Sequence, residues 1–395
     1  MAEAVIVAAA RTPVGNFGGA FRDVPATQLG VVVAKALVER ARLDPGMLDE
    51  VICGVGGMVP KESNIARQIS LFAGFPIEVP AFTVQRNCAA GLQALVSASQ
   101  LIRLGEAEVV MALGAENMSQ APYQVHGARW GLRLRHGVFS DALWEGLTDG
   151  YTGLLMGETA ENLVDQFGFT RRQLDEVALA SHQKAFRAQR MGKFKEEIVP
   201  VEVPPRRPGD QPEVVAQDEG PQAGLSLERL AMAPAVFRKG GSVTPGNSCP
   251  MNDAAAGVLL MSEKKAGELG LEPLAWVKSW GFAGVDPRIM GIGPVPATRK
   301  ALARAGLELG DIELIEINEA FAAQYLACRE MLGFSDEIAN VNGGGLALGH
   351  PIGATGLRLI NTLVYEMRRR GARYGLATMC VGGGQGGAVI VERRA

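Results

Sequence analysis

Short apolar runs alternate along this chain with stretches in which apolar residues recur every three to four positions. A buried sheet whose strands alternate with helices produces this pattern. Ala4 to Ala8 reads as a buried strand, followed by strand-like Val51–Val55, helical Ile65–Ala73, strand-like Ala81–Gln85, helical Cys88–Leu104 and strand-like Val109–Leu113. The alternation predicts an α/β fold.

From Ala121 to Pro245 the texture changes. This stretch holds the Arg-rich GARWGLRLRHG, two amphipathic helices (Ala160–Phe167 and Arg171–Arg190) and the Pro-rich VEVPPRRPGDQP, and it reads as an inserted loop domain. The alternation then resumes with strands at Ala256–Met261, Leu274–Trp280 and Ile312–Ile317. Helices follow at Pro296–Ala305, Glu319–Leu332 and Gly353–Arg370, and the chain closes on strands Gly375–Met379 and Ala388–Val391. The expected division is residues 1–120 and 246–271 for one half, 121–245 for the insertion and 272–395 for the second half. NCAAGLQAL and GHPIGATGLRLI each set a reactive residue where a helix begins, so the halves read as weak internal repeats.

A chain of 395 residues is long enough for two or three packed units. Net charge is −3, with Lys and Arg dispersed, which argues against nucleic acid or an anionic membrane surface as partner. The N-terminal apolar run lacks a basic flank, and nothing approaches the ~20 apolar residues of a membrane-spanning helix, so a soluble protein is expected. Five cysteines without a CxxC fit neither a disulfide framework nor a zinc site, and imply free thiols in a reducing cytoplasm.

The 50 glycines are about twice what average usage of ~7% gives, and they cluster beside the reactive residues. Cys88, in VQRNCAAGLQALVSA, is expected between a strand and a helix start, where unpaired backbone N–H groups lower a thiol's pKa. A buried cysteine acting as a small hydrophobe is the competing reading. His350 lies in NGGGLALGHPIGATGLRLI and is a candidate base, against a merely satisfied structural histidine. Cys380 ends LATMC before VGGGQGG, whose N–H groups form a potential nest favouring its thiolate. Asn318 follows IELIEI, a strand end suited to holding a water or an oxyanion, or else simply to capping the next helix. Neither glycine run has the GxGxxG or P-loop spacing of a nucleotide site.

Together NCAAGLQAL, GNxxxxND, NEAF, GGGLALGHPIGATG and CVGGGQGG, in this order and across the whole chain, resemble the thiolase family. The resemblance implies two similar α/β halves in a five-layer αβαβα fold with an inserted loop domain. It also implies reversible chemistry between acyl-CoA and acetyl-CoA: condensation to acetoacetyl-CoA, or thiolytic cleavage of a 3-ketoacyl-CoA, through an acyl-cysteine. By this likeness Cys88 is the acylated nucleophile, His350 its base, and Cys380 the acid and base at the α-carbon. Asn318 holds a water that, with His350, forms one oxyanion hole, and the N–H groups of Cys88 and Gly382 form the other. Glycine at 382 is then explained by a need for main chain only. Leu147, Met156, Phe237, Ala320 and Phe321 match positions along the pantetheine and acyl path. No metal or bound cofactor is implied, coenzyme A and its thioesters being substrates.

The chain departs from short-chain biosynthetic members at two places. Leu155 stands where they carry a histidine, and in TPGNSCPMND the pair Cys249 and Pro250 follows Ser248 where many members have Ser-Gly, the serine contacting pantetheine. The segment APYQVHGARWGLRLRHG resembles the family's projecting loop, which implies a homodimer that pairs into a homotetramer. A ketoacyl-synthase-like condensing enzyme would carry a second histidine where Cys380 stands. A non-catalytic acyl-CoA binding protein would not need all three reactive residues, and a nucleotide-binding oxidoreductase rests on glycine-rich texture alone.

Overall fold

The computed structural model describes residues 2–57, 59–134, 136–205, 209 and 211–394. The Arg206–Pro208 and Asp210 part of the Pro-rich segment, and Arg135 of the Arg-rich one, lie outside these residues.

Nine strands carry the architecture: β1 Ala4–Arg11, β2 Glu50–Gly54, β3 Ala81–Val84, β4 Val109–Asn117, β5 Asn252–Ser262, β6 Ala275–Gly284, β7 Leu314–Ile317, β8 Tyr374–Val381 and β9 Gln385–Glu392. The helices of eight or more residues are α1 Ala26–Ala41, α2 Ile65–Phe72, α3 Ala90–Leu104, α4 Met156–Phe167, α5 Arg171–Arg190, α6 Pro294–Ala305, α7 Ala322–Leu332 and α8 Ile352–Arg370.

In the first half the spatial order is β3-β2-β4-β5-β1. In the second it is β7-β8-β9-β6, and Ala339 forms a parallel bridge to Ile315 on the outer side of β7. Counting that bridge as a strand position, the two halves have one and the same order. The first, second and third crossovers are also matched, by α1 and α6, α2 and α7, and α3 and α8. The weak repeat in the sequence is thus a repeat of topology. The two sheets meet where Val5 and Ile6 of β1 pair with Trp276 and Ala275 of β6.

Three apolar cores separate five layers. One lies between α1, α2 and the first sheet, around Leu29, Leu37, Ile65 and Ile69. A second lies between α6, α7 and the second sheet, around Ala297, Ala301, Tyr325 and Cys328. The central one holds residues of both α3 and α8 (Leu92, Leu95, Leu357, Ile360) with residues of both sheets. This is the expected αβαβα arrangement. β4 is buried at every position because helices cover both its faces.

The stretch between β4 and β5 holds α4, α5 and two short hairpins, and it packs on α7 through Leu163, Leu174, Ala323 and Ala327. Its α5 is opened by a reciprocal cap between Thr170 and Gln173. Among the described residues no helix is long and apolar enough to cross a membrane.

Several boundaries differ from the sequence reading. The helix expected from Cys88 begins at Ala90, and the one expected from Glu319 begins at Ala322, because the intervening residues are spent on turns.

The middle layer is held at glycine contacts. A Cβ on Gly114 of β4 would lie 2.3 Å from the Gly353 carbonyl oxygen, and one on Gly91 of α3 would lie 2.8 Å from that same oxygen. Gly114→Ala is expected to destabilise the fold by about 1–3 kcal/mol through overpacking. Gly267→Ala, with open space around it, is expected to have little effect. Urea unfolding midpoints of the two variants check the contrast, and equal midpoints would refute it.

Candidate active site

The turn between β3 and α3 carries Cys88. Asn87 before it sits at φ 42°, a left-handed conformation that non-glycine residues seldom adopt. Its side chain is tied at both ends: Gln85 Nε2 donates to Asn87 Oδ1 at 3.0 Å, and Asn87 Nδ2 donates to the Gly382 carbonyl at 2.9 Å. The Cys88 turn is therefore fastened to the glycine run that follows Cys380.

Cys88, Gly382, Leu147 and Met156 line one cavity of about 270 Å³, together with Gly56, Gly57, Glu116 and Ile352. A larger cleft of about 690 Å³ runs between α5 and α7, away from the cysteines. The N–H groups of Gly382 and of Cys88 itself face the Cys88 sulfur and favour its thiolate, but burial outweighs them. The expected lowering of its pKa is therefore corrected: desolvation raises the thiol above its ordinary value, because the sulfur is walled by apolar groups and stands near Glu116. A base must take its proton.

His350 supplies a neutral imidazole. It is 6 % exposed, and burial, aided by the nearby Arg358 charge, pulls its pKa down to about 3. Thr355 Oγ1 donates to the Pro351 carbonyl at 2.8 Å, so the 2.7 Å contact between that oxygen and His350 Nδ1 has the ring nitrogen as donor. The proton is thereby assigned to Nδ1, and the buried Nε2 keeps a lone pair with no partner among the described residues. The main chain is fixed as well, His350 N donating to Asn252 Oδ1 at 2.9 Å. Gly349 before it has φ +99°, and a Cβ there would lie 2.3 Å from that same Asn252 oxygen.

Cys380, on β8, is wholly buried. Burial and the neighbouring sulfurs of Cys88, Cys328 and Cys249 hold it well above the ordinary thiol range. The expectation that the glycine nest favours its thiolate is overturned: its own N–H favours the anion, and desolvation exceeds that. At rest Cys380 is a thiol. Cys328 and Cys53 are packing residues, with Sγ directed at the carbonyls of Gly291 and Gly54.

Asn318 follows β7, and its N–H donates to the Thr378 carbonyl, two residues before Cys380. It is not a cap: Phe321 occupies that position of α7, and among the described residues both polar atoms of the buried Asn318 side chain lack a partner. A buried amide without partners costs roughly 1–3 kcal/mol, which points to a ligand or water as its counterpart. A Cβ on Gly345 would lie 2.7 Å from its Oδ1.

A Cβ on Gly382 would come no nearer than 3.4 Å to any protein atom, the closest being Met156 sulfur. Glycine there is not required by packing within the chain; the space it leaves belongs to the cavity.

Met156, Phe237, Cys249, Ala320, Phe321 and Cys380 share one apolar cluster. Phe237 and Phe321 pack edge to face at 6.2 Å. Ser248 pairs with Phe321, Cys249 N donates to the Ala320 carbonyl, and Ser248 Oγ is buried without a partner. Burial, with the Cys88 sulfur adding to it, raises the Cys249 thiol.

The sequence reading missed Asn87, Thr355 and Asn252. Asn252 was visible as the ND of the GNxxxxND motif, whereas nothing in the sequence marks a threonine five residues on as a histidine's partner.

Between about pH 6.5 and 3 the unfolded chain binds a proton at His350 that the folded chain refuses, so the stability this histidine contributes is complete above the first value and fades as pH falls. His350→Gln should remove about 1.4 kcal/mol per pH unit from the slope of stability between roughly pH 4 and 6. Equal slopes in denaturant titrations of the two proteins would show that His350 is protonated in the fold.

The thiolase N-terminal domain family model matches residues 4–264, and the thiolase C-terminal domain model matches residues 271–393. An acetyl-CoA acetyltransferase of Pseudomonas aeruginosa is 51 % identical over 394 residues, covering 100 % of both chains. One from Syntrophomonas wolfei is 48 % identical over 99 % of each. Among solved structures, the Bacillus anthracis acetyl-CoA acetyltransferase superposes with TM-score 0.97 at 48 % identity, over 99 % of each chain. Human mitochondrial 3-ketoacyl-CoA thiolase in complex with CoA gives 0.96 at 42 % identity, over 100 % of this chain and 98 % of that one. With its strand order, its paired helix starts and its sulfur and imidazole groups, the chain belongs to the thiolase family.

Proposed function

We propose that this enzyme is an acyl-CoA:acetyl-CoA C-acyltransferase that works by ping-pong transfer through Cys88. The observation that carries the reading is the unpartnered Nε2 of a buried, neutral His350, whose other nitrogen is committed to Thr355. Nε2 takes the Cys88 proton as the sulfur attacks the thioester carbonyl. Cys380 gives its proton to the departing coenzyme A thiolate, leaving an acyl-Cys88, an imidazolium and a Cys380 thiolate. The Cys380 thiolate then removes an α-proton from acetyl-CoA, and the carbanion attacks the acyl group. Cys88 leaves and recovers its proton from His350, and the reverse order is thiolysis.

Two oxyanions arise and each needs preorganised donors. The N–H groups of Cys88 and Gly382 serve one. A water held by Asn318, with the His350 side chain, serves the other, in keeping with the partnerless amide. Leu147, Met156, Phe237, Ser248, Cys249, Ala320 and Phe321 form the path of the pantetheine and acyl chain. No metal or resident cofactor enters this scheme. Cys380 occupies the place where a ketoacyl-synthase-like site needs a second histidine, which argues against that alternative.

The same reading extends to assembly and location. Trp130, Leu134, Val138 and Phe139, exposed on the loop between β4 and α4, suit contact between copies in a homotetramer. Phe72, Ile77 and Phe82, beside the edge strand β3, suit a homodimer interface. Five unpaired thiols favour a cytoplasmic setting.

Mass spectrometry with acetyl-CoA tests the division of labour. Cys88→Ser should lose the covalent acyl group altogether, since an alkoxide is far harder to generate than a thiolate. Cys380→Ala should still be acetylated on Cys88 and exchange acetyl groups with coenzyme A, while condensation and thiolysis fall on the order of 10²-fold or more. Retained condensation in Cys380→Ala would assign the carbon base elsewhere.

A further inference from the structure

The cavity beside Cys88 has a carboxylate in its wall that none of the assigned roles uses. Glu116 is the next-to-last residue of β4, which is otherwise apolar or glycine from Val109 to Ala115, and it is 4 % exposed. Its Oε2 accepts from Gly56 N at 2.7 Å and from Gly353 N at 2.8 Å, and its Oε1 accepts from Gly57 N at 3.0 Å. Among the described residues it makes no ion pair, and the charge that a buried carboxylate needs is met by N–H dipoles alone.

Those three donors come from separate parts of the chain. Gly56 and Gly57 follow β2 and form the cavity wall opposite Met156 and Leu147. Gly353 lies in the first turn of α8, three residues beyond His350. Crowding shows how tightly the join is made: a Cβ on Gly56 would lie 2.2 Å from Ile352 and 2.8 Å from Glu116 Oε2.

We propose that Glu116 is a positioning residue for acyl transfer, its carboxylate clamping the Gly56–Gly57 wall to the first turn of α8 and thereby setting His350 in place against Cys88. The proposal rests on the reading of Cys88 as nucleophile and His350 as its base.

The charge state of the clamp matters for a stereochemical reason. Two ionised carboxylate oxygens accept all three N–H bonds at full strength, whereas protonation leaves one oxygen a weaker acceptor that also carries a hydrogen needing a partner of its own. The titratable groups that face Glu116 are Glu62, Cys53 and Cys88, none of which favours its anion. Burial raises its pKa to about 7, so the clamp tightens as pH rises through neutrality. The same charge contributes to the raised pKa of Cys88.

The test compares full-length wild type, Glu116→Gln and Glu116→Asp by kcat and KM for thiolysis, by the pH profile of Cys88 alkylation with iodoacetamide, and by thermal unfolding. Gln keeps the shape but turns an amide toward one N–H, whereas Asp keeps the charge but cannot span all three donors. Both should lower kcat on the order of 10-fold to 10²-fold with KM little changed, as expected for misplaced reacting groups. Only Gln should shift the alkylation profile to lower pH. Wild-type kcat in Gln, a loss accounted for by the unfolded fraction, or a rise in KM alone would overturn the proposal. Acetylation of wild type at a residue other than Cys88 would overturn both the nucleophile assignment and this proposal, which separates the two failures.

Discussion

Everything chemical in this molecule depends on two helices approaching more closely than side chains allow. α3 and α8 cross in the middle layer at Gly91, Gly353 and Gly356; a Cβ on Gly356 would lie 2.5 Å from the Leu92 nitrogen. Cys88 stands three residues before Gly91 and His350 three residues before Gly353, so the contact of these glycines draws the two helix starts toward each other. The second sheet carries two further candidates, Cys380 on β8 and Asn318 at the end of β7.

Around that crossing the polar groups are arranged to stay neutral. Desolvation dominates the titration of Cys88, Cys380 and His350 alike, and it favours thiol, thiol and free imidazole. At rest these three groups are uncharged, as is the reacting end of a thioester, and Glu116 is the carboxylate that remains in the cavity wall. In the proposed reaction, charge arises as bonds change, and backbone N–H groups and an amide without partners among the described residues are the donors available to it.

The strands and helices of the two halves were readable because apolar runs and periodic stretches translate directly into buried strands and amphipathic helices. The candidate residues were picked out by their places at element boundaries: Cys88 and His350 each precede a helix by two residues, Cys380 is the next-to-last residue of β8 before a glycine run, and Asn318 follows β7. What could not be read depends on contacts between distant positions. Asn252 with His350, Glu116 with Gly353 and Asn87 with Gly382 pair across 98, 237 and 295 positions. The direction of the Cys88 and Cys380 shifts was misread for a related reason: a helix start or a nest is a local feature, whereas burial is a property of the whole fold. Asn318 shows the reverse case, in which only the finished structure separates an idle cap from an amide kept free.

The matched strand order has a consequence for how such a site can exist at all. Cys88 and His350 occupy equivalent places in the two halves, each before the helix of the third crossover. Two identical half-length subunits meeting at this crossing would present the same side chain twice, either two thiols or two imidazoles. A pairing of unlike groups requires the symmetry to be broken, and joining the halves in one polypeptide breaks it permanently, letting each side of the crossing specialise without a copy of itself opposite.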